Sequence, residues 1–204
     1  MLCRRLGTVD FESTFDRMKA FTASRTHETE DEIWLLQHLP VYTQGLSGKP
    51  EHVLDPGDVP IIQIDRGGQV TYHGPGQWVA YVLFDLRRAN VNIRQLVTLL
   101  EAAVVRVLGE WGIKACGDPD ARGVYVGGCK IAALGLKVSK GRSYHGLSLN
   151  VEMDLSPFRG INPCGYEGLE VTSVATLLGS NCPTMDEVGE VLLRQLEALL
   201  PGPN

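Results

Sequence analysis

Ile61-Ile62-Gln63-Ile64-Asp65 leads into Arg66-Gly67-Gly68-Gln69-Val70-Thr71-Tyr72-His73-Gly74-Pro75-Gly76-Gln77, and Trp78 to Asp85 follows. The two flanking runs are apolar, β-branched or aromatic, and read as buried strands. The twelve residues between them hold four glycines interleaved with Arg, Thr, Tyr, His and Gln. Glycine lets backbone approach a ligand closely and adopt positive φ, so polar side chains can converge on what sits there. A polar, aromatic, glycine-rich connection between two strands reads as a binding loop on a rigid scaffold. An ordinary hairpin connection would not need that set of side chains.

Outward from this stretch the chain alternates helix and strand patterns. Asp10 is a good N-cap, and Phe11, Phe15, Met18 and Phe21 then fall on one helical face. Ile33 to His38 and Val41 to Thr43 read as short strands around Pro40. Gly45 to Pro60 holds three prolines and three glycines and reads as loop. After Asp85, Asn92 caps the clearest helix. Its stripe is Ile93, Leu96, Val97, Leu100, Val104, Val107, Leu108 and Trp111, with Gly112 in the C′ position. Residues 123 to 151 are a β region with a hairpin turn at Lys140-Gly141. There Leu147, Leu149 and Val151 alternate with Ser148 and Asn150, the pattern of a half-buried strand. A long loop with Pro157, Gly160, Pro163, Gly165 and Gly168 precedes a last helix, which opens with the capping box Thr184-x-x-Glu187 and stops at Pro201-Gly202. The expected fold class is α/β (α+β), with a mixed β-sheet flanked by helices. No repeat or linker divides the chain, so residues 1–204 are expected to form one domain.

Composition narrows the function classes. The net charge is 19 − 24 = −5, which argues against broad nucleic-acid binding; an acidic partner needs a local basic patch. No run approaches the roughly 18 apolar residues of a membrane span. Met1-Leu2-Cys3-Arg4-Arg5 is followed by no apolar secretory segment, so the expected location is the cytoplasm. Cys3, Cys116, Cys129, Cys164 and Cys182 are scattered without a C-x-x-C, the pattern of free thiols in a reducing compartment. No His, Cys or carboxylate spacing of the metal type appears, so no metal is expected. A P-loop and a strand–G-x-G-x-x-G–helix unit are both absent, and no cofactor is expected.

Two further segments carry chemistry. Gly127-Gly128-Cys129-Lys130 places a lysine at the start of a strand behind two glycines. Such a lysine is a solvated edge charge or, beside a cavity, a donor to a ligand or thiolate. Asn162-Pro163-Cys164-Gly165 puts a cysteine in a loop between Pro and Gly, where it is accessible. The thiolate is the nucleophilic form, and a nearby cation favours it. Cys129 is a rival nucleophile, but adjacent strand residues face opposite ways, so Cys129 and Lys130 should not touch. A lysine–cysteine pair built from distant segments is geometrically more plausible. His73 and His145 are the candidate histidines: His73 by its place in the binding loop, while His145, beside Tyr144 in a strand, has the plain alternative of a satisfied polar group.

Arg66 to Gln77, Gly127 to Lys130 and Asn162 to Gly165, in this order, resemble the lipoyl(octanoyl) transferase family. Pro40-Val41-Tyr42-Thr43-Gln44-Gly45 and His145-Gly146-Leu147-Ser148-Leu149-Asn150-Val151 are similar to it as well. Ser148 stands where the family more often has Ala. The resemblance spans essentially the whole chain and implies the fold shared by lipoate and biotin protein ligases. It implies transfer of an octanoyl or lipoyl group from octanoyl-acyl carrier protein to a lysine of lipoyl domains, those of 2-oxoacid dehydrogenase E2 subunits and of glycine-cleavage H protein. It implies Cys164 as the residue that carries the acyl group as a thioester, and Lys130 as its activating partner. Substrate-binding positions would be Arg66, Gly67, Gly68, Gln69, Val70, Thr71, Tyr72 and His73, then Ala133, Leu134 and Gly135, then Gly146, Leu147 and Ser148. Val70, Tyr72, Leu134 and Leu147 are the expected walls for the acyl chain. Lys137, Lys140 and Arg142, with Arg87 and Arg88, are the expected basic patch for acyl carrier protein. The alternatives on the same fold are an ATP-dependent lipoate or biotin ligase, which needs an adenylate loop and no catalytic cysteine, and a lipoyl amidotransferase. A non-catalytic module that binds acyl carrier protein or a lipoyl domain is a third.

Overall fold

A computed structural model of the chain describes residues 1–202. In chain order the elements are β1 (Leu2–Val9), α1 (Phe11–Ser24), β2 (Glu32–His38), β3 (Val41–Gln44), β4 (Ile61–Gln63), β5 (Val70–His73) and β6 (Gln77–Leu83). They continue with α2 (Ile93–Gly109), β7 (Cys116–Gly117), β8 (Gly123–Val126), β9 (Cys129–Ser139), β10 (Arg142–Asn150), α3 (Val174–Leu178) and α4 (Met185–Leu199). Seven strands form one sheet in the order β1-β2-β6-β10-β9-β8-β7; β4-β3-β5 form a second. Only the β1–β2 and β3–β4 pairs are parallel, so the mixed sheet and flanking helices expected of the sequence are what forms.

The sheet is covered on both faces. Ile33, Leu35, Trp78, Ala80, Val82, Leu147 and Leu149 meet the apolar stripes of α2 and α4. Trp34, Leu36, Val79, Tyr81 and Tyr144 point the other way and pack against Met18, Phe15 and Phe21 of α1. β10 is therefore not half-buried: Ser148 and Asn150 are 4% and 5% exposed, as enclosed as Leu147 and Leu149. The period-2 pattern is real, but its polar side faces a site rather than water.

The caps behave as local chemistry dictates. The Asp10 side chain accepts from Ser13 N–H, and Asn92 and Thr184 form reciprocal capping boxes with Gln95 and Glu187. α2 ends at Gly109 rather than running to Trp111. The chain then tightens through Gly112 N–H to Gly109 O and Ile113 N–H to Leu108 O, with Gly112 at φ 72°. One strand has no reading in the sequence and two expectations fail, all for non-local reasons. β1 carries Arg4-Arg5 and no strong apolar alternation, yet pairs in parallel with β2, and Arg4 grips Glu32 through two nitrogens at 2.6 and 2.8 Å. The expected buried strand at 61–65 is a short edge strand with Ile61 43% exposed. The glycine-rich stretch is not all loop, since Val70–His73 forms β5 against β3.

The expected basic patch is smaller than the sequence suggested. Arg142 is bound to Asp85 at 3.1 Å and Arg88 to Asp31 at 2.8 Å, with Arg25 also on Asp31. Of the five cations, Arg87 and Lys140 are exposed and Lys137 is half-buried. No described helix is long and apolar enough to cross a membrane.

Candidate active site

Cys164 sits in a single helical turn, Pro163–Gly165, at φ 57° and ψ 15°. A left-handed conformation is costly for a residue with a Cβ, so the neighbours must hold it. Gly165 N–H bonds Asn162 O at 2.9 Å, and Asn162 N–H bonds His52 O at 2.8 Å, which ties this turn to the Pro50–His52 turn. Lys130 opens β9, and its backbone is stitched to the segment after the cysteine: Lys130 N–H to Glu170 O at 2.8 Å, Thr172 N–H to Lys130 O at 2.9 Å. The two segments thus meet, and Lys130 Nζ donates to Cys164 Sγ at 2.9 Å.

Lys130 is 3% exposed, and its ammonium also lies 5.3 Å from the centre of the Tyr125 ring. Burial pulls its pKa down, but the charge and hydrogen bond of Cys164, with the Tyr125 hydroxyl, outweigh burial, and the net shift is upward. Lys130 is therefore a cation at neutral pH. Cys129 faces away, with its Sγ 3.5 Å from a Glu170 carboxylate oxygen. Burial and Glu170 push that thiol up. Cys3 is pushed up to about 12 by burial and Glu197, and burial raises Cys182 as well. Those three stay protonated thiols, and the described cysteine in contact with a buried cation is Cys164.

A channel, open at its mouth, leads from the sulfur across the sheet face opposite α2 and α4. Its floor is made of small residues: Ser148 of β10 stands opposite Ala133 of β9, and Gly146 opposite Gly135. Two cross-strand pairs without bulk leave the space that a Leu or Val would fill. Arg66, Gly68, Gln69, Val70, Thr71 and His73 border it from the glycine-rich stretch, and Val79, Tyr81, Ile64, Phe11 and His145 complete the wall. Of the residues expected there, Gly67 and Tyr72 do not line it. Gly67 N–H bonds Leu136 O at 3.0 Å; Tyr72 turns to Tyr42 and Phe158, at ring distances of 5.4 and 5.6 Å. Strand alternation explains Tyr72, because Thr71 and His73 already face the channel. Leu134 and Leu147 border it too, but their side chains belong to the core under α2 and α4.

Arg66 and the histidines around the channel are bonded away from it, whereas Gln69 Oε1 is buried there without a protein partner among the described residues. Arg66 reaches Thr43 O at 2.8 Å, Thr43 Oγ1 at 3.0 Å and Gly67 O at 3.0 Å, and burial lowers it to about 10, still charged at neutral pH. His73 Nδ1 meets Gln77 Oε1 at 2.7 Å, and Gln77 Nε2 donates to Asn150 Oδ1 at 2.9 Å. His38 Nε2 meets the Tyr81 hydroxyl at 2.6 Å, and His145 Nε2 meets Asp65 Oδ1 at 3.2 Å, with Tyr144 on the other Asp65 oxygen. Burial lowers His73 to about 3 and His38 to about 4, and lowers His145 as well, so all three are neutral at pH 7. The hydrogen bond from His145 holds Asp65 at about 2, helped by Tyr144 against the penalty of burial.

Residues 10–197 match the lipoyl protein ligase A/B catalytic domain model. The chain belongs to this family. It is 62% identical over 171 residues to the octanoyltransferase of Nitrosospira multiformis, covering 84% of this chain and 80% of that protein. It is 54% identical over 191 residues to the octanoyltransferase of Neisseria meningitidis serogroup C, covering 94% and 92%. Among solved structures, a lipoate-protein ligase A bound with ATP superposes with a TM-score of 0.81 at 18% identity, over 98% of this chain and 86% of that one, a likeness of fold. Of the residues singled out in the sequence, the structure brings Cys164, Lys130 and most of the expected channel positions together. The sequence missed Phe11, Ile64, Val79 and Tyr81, and it missed that His145 is a channel wall anchored by Asp65. The available signal was the run of small residues at every second position of β9 and β10.

Proposed function

We infer that the chain transfers octanoyl groups in protein lipoylation, the activity its relatives carry by name, and that it does so through a thioester on Cys164 with Lys130 as its partner. The observation that carries this reading is the 2.9 Å contact between a buried lysine ammonium and a loop cysteine at the head of an apolar channel. The Cys164 thiolate attacks the carbonyl carbon of octanoyl-acyl carrier protein. A carbon–sulfur bond forms to Cys164, the bond to the carrier's thiol breaks, and the leaving thiolate takes a proton from Lys130. The neutral amine of a lipoyl-domain lysine then attacks the new thioester. A carbon–nitrogen bond forms, Cys164 leaves as a thiolate, and the proton released by the amine returns to Lys130. Thioester exchange is nearly neutral in free energy and amide formation is downhill, so no nucleotide is required. The whole chain acts as one catalytic domain in this reading, in the cytoplasm, with lipoyl domains of 2-oxoacid dehydrogenases and the glycine-cleavage H protein as acceptors.

The test is intact-protein mass spectrometry after mixing with octanoyl-acyl carrier protein, using wild type, Cys164→Ser and Cys129→Ser. An octanoyl adduct labile to hydroxylamine is expected in wild type and Cys129→Ser and absent in Cys164→Ser. An adduct that disappears only with Cys129→Ser moves the nucleophile; no adduct in any protein defeats the thioester mechanism and turns attention to ATP-dependent attachment.

A further inference from the structure

The channel has a definite far end. Thr71, Ala133, Ser148 and Cys164 border both the channel and the small cavity around Lys130, so they mark the sulfur end. Two residues along β9 and β10 stand Gly135 and Gly146, about 6.6 Å further on at the usual strand rise. Gly146 lies opposite Tyr81 in the ladder, the Tyr81 hydroxyl meets His38, and the His38 ring lies 5.0 Å from that of Phe11, so Tyr81 and Phe11 are neighbours in the channel lining. Phe11 and Tyr81 are closed off from solvent, at 3% and 4% exposed.

The end-wall groups differ in how they are held. His73 is fixed by Gln77, Tyr81 by His38, and His145 by Asp65. Phe11 is held by packing: its ring lies 6.4 Å from His73 at an interplanar angle of 7°, 5.0 Å from His38 and 5.9 Å from Phe15. Its apolar neighbours are Val41, Ile62 and Phe15, and Ile64, which lines the channel beside it. Phe11 thus belongs both to the channel lining and to this apolar cluster. Removing its ring would extend the channel against the His38 and His73 rings, whose nitrogens are already hydrogen-bonded.

We propose that Phe11 is the specificity-determining residue for acyl-chain length, closing the channel so that chains of about eight carbons fit and longer ones do not. This rests on the reading of the channel as the acyl site of the Cys164 thioester. Burial of one further CH₂ is worth about fourfold in relative rate, so two carbons admitted past Phe11 should change preference by roughly tenfold or more.

The experiment loads full-length wild type, Phe11→Ala and Phe11→Leu from hexanoyl-, octanoyl-, decanoyl- and dodecanoyl-acyl carrier protein, reading the rate and mass of the Cys164 adduct. Wild type is expected to favour octanoyl over dodecanoyl by at least about tenfold. Phe11→Ala should raise the decanoyl-to-octanoyl and dodecanoyl-to-octanoyl ratios by about tenfold or more, and Phe11→Leu should fall between. If Phe11→Ala does not fold, by circular dichroism and melting, Phe11→Leu decides alone, with a decanoyl-to-octanoyl shift of about fourfold expected. A folded variant that keeps the wild-type ranking overturns the gate while leaving the thioester reading intact. No adduct on wild type from any donor overturns both.

Discussion

Gly123 decides how close Lys130 comes to Cys164. It lies at φ 151°, and a Cβ there would stand 2.4 Å from Lys130 Cε, 3.0 Å from its Nζ and 2.8 Å from Ala132 O. The lysine stem therefore passes through space that any larger residue would occupy. Gly123→Ala should push the ammonium off the sulfur. A hydrogen bond to a charged group is worth about 1.5–3 kcal/mol, so Cys164 acylation and iodoacetamide labelling at pH 7 should slow by about 10- to 100-fold. The melting temperature should fall as well, because the new Cβ meets Ala132 O at a φ that favours glycine. Unchanged labelling in a folded Gly123→Ala protein would remove this role. At this scale Cys164 and Lys130 are legible because each stands in a distinctive short motif. Gly123 is not, since nothing in Arg122-Gly123-Val124 announces a lysine passing beside it. Asp65 and His145 are eighty residues apart and meet only across the fold.

Among the elements, the helices were legible because caps act within four residues of chain. Thr184 and Glu187 close α4 with two reciprocal bonds, Thr184 N–H to Glu187 Oε2 at 2.8 Å and Glu187 N–H to Thr184 Oγ1 at 3.3 Å. Thr184→Ala should cost about 1 kcal/mol, a fall of roughly 2–4 °C in melting temperature for a chain of this length. Leu100, fully buried where α2 meets the sheet, is a different case. Leu100→Ala leaves a cavity, and the expected loss is about 2–5 kcal/mol by chemical denaturation. Equal effects from the two substitutions would mean that core packing does not dominate α2. The strands were less legible than the helices. β1 is specified by parallel pairing to residues thirty positions away, and β5 by pairing to β3, not by their own composition.

For the whole molecule the buried histidines set the response to acid. His38, His73 and His145 are neutral when folded, with His38 near 4 and His73 near 3, below the roughly 6.5 of an unfolded histidine. Below pH 6.5 the unfolded chain binds more protons than the folded one. The stability these groups contribute is therefore fully present above pH 6.5 and is lost as pH falls from 6.5 towards 4 and 3. His38 and His73 each cost about 1.4 kcal/mol per pH unit in that window. His145 adds to the loss in the same direction, so acid threatens a domain of ordinary stability by about pH 5. Asp65, held at about 2, loses its contribution only below about pH 4, under this window. The melting temperature should be flat from pH 8 to 7 and fall steeply from 6.5 to 5. A flat profile down to pH 5 would show that these rings are not buried neutral in solution.

The sequence by itself determined what acts over short distances: the caps at Asp10, Asn92 and Thr184, the apolar stripes of α2 and α4, and the glycine-rich, GGCK and NPCG segments that carry the family resemblance. Hydrogen bonds between near neighbours and the helical and strand periods need no other part of the chain to be read. Only the tertiary structure decided which side chains face the channel, because strand alternation fixes a face but not what covers it. It turned Tyr72 away, set Phe11 at the channel's end, committed Arg88 and Arg142 to buried carboxylates, and brought Lys130 to 2.9 Å from Cys164. Those outcomes depend on packing and desolvation between segments far apart in the chain.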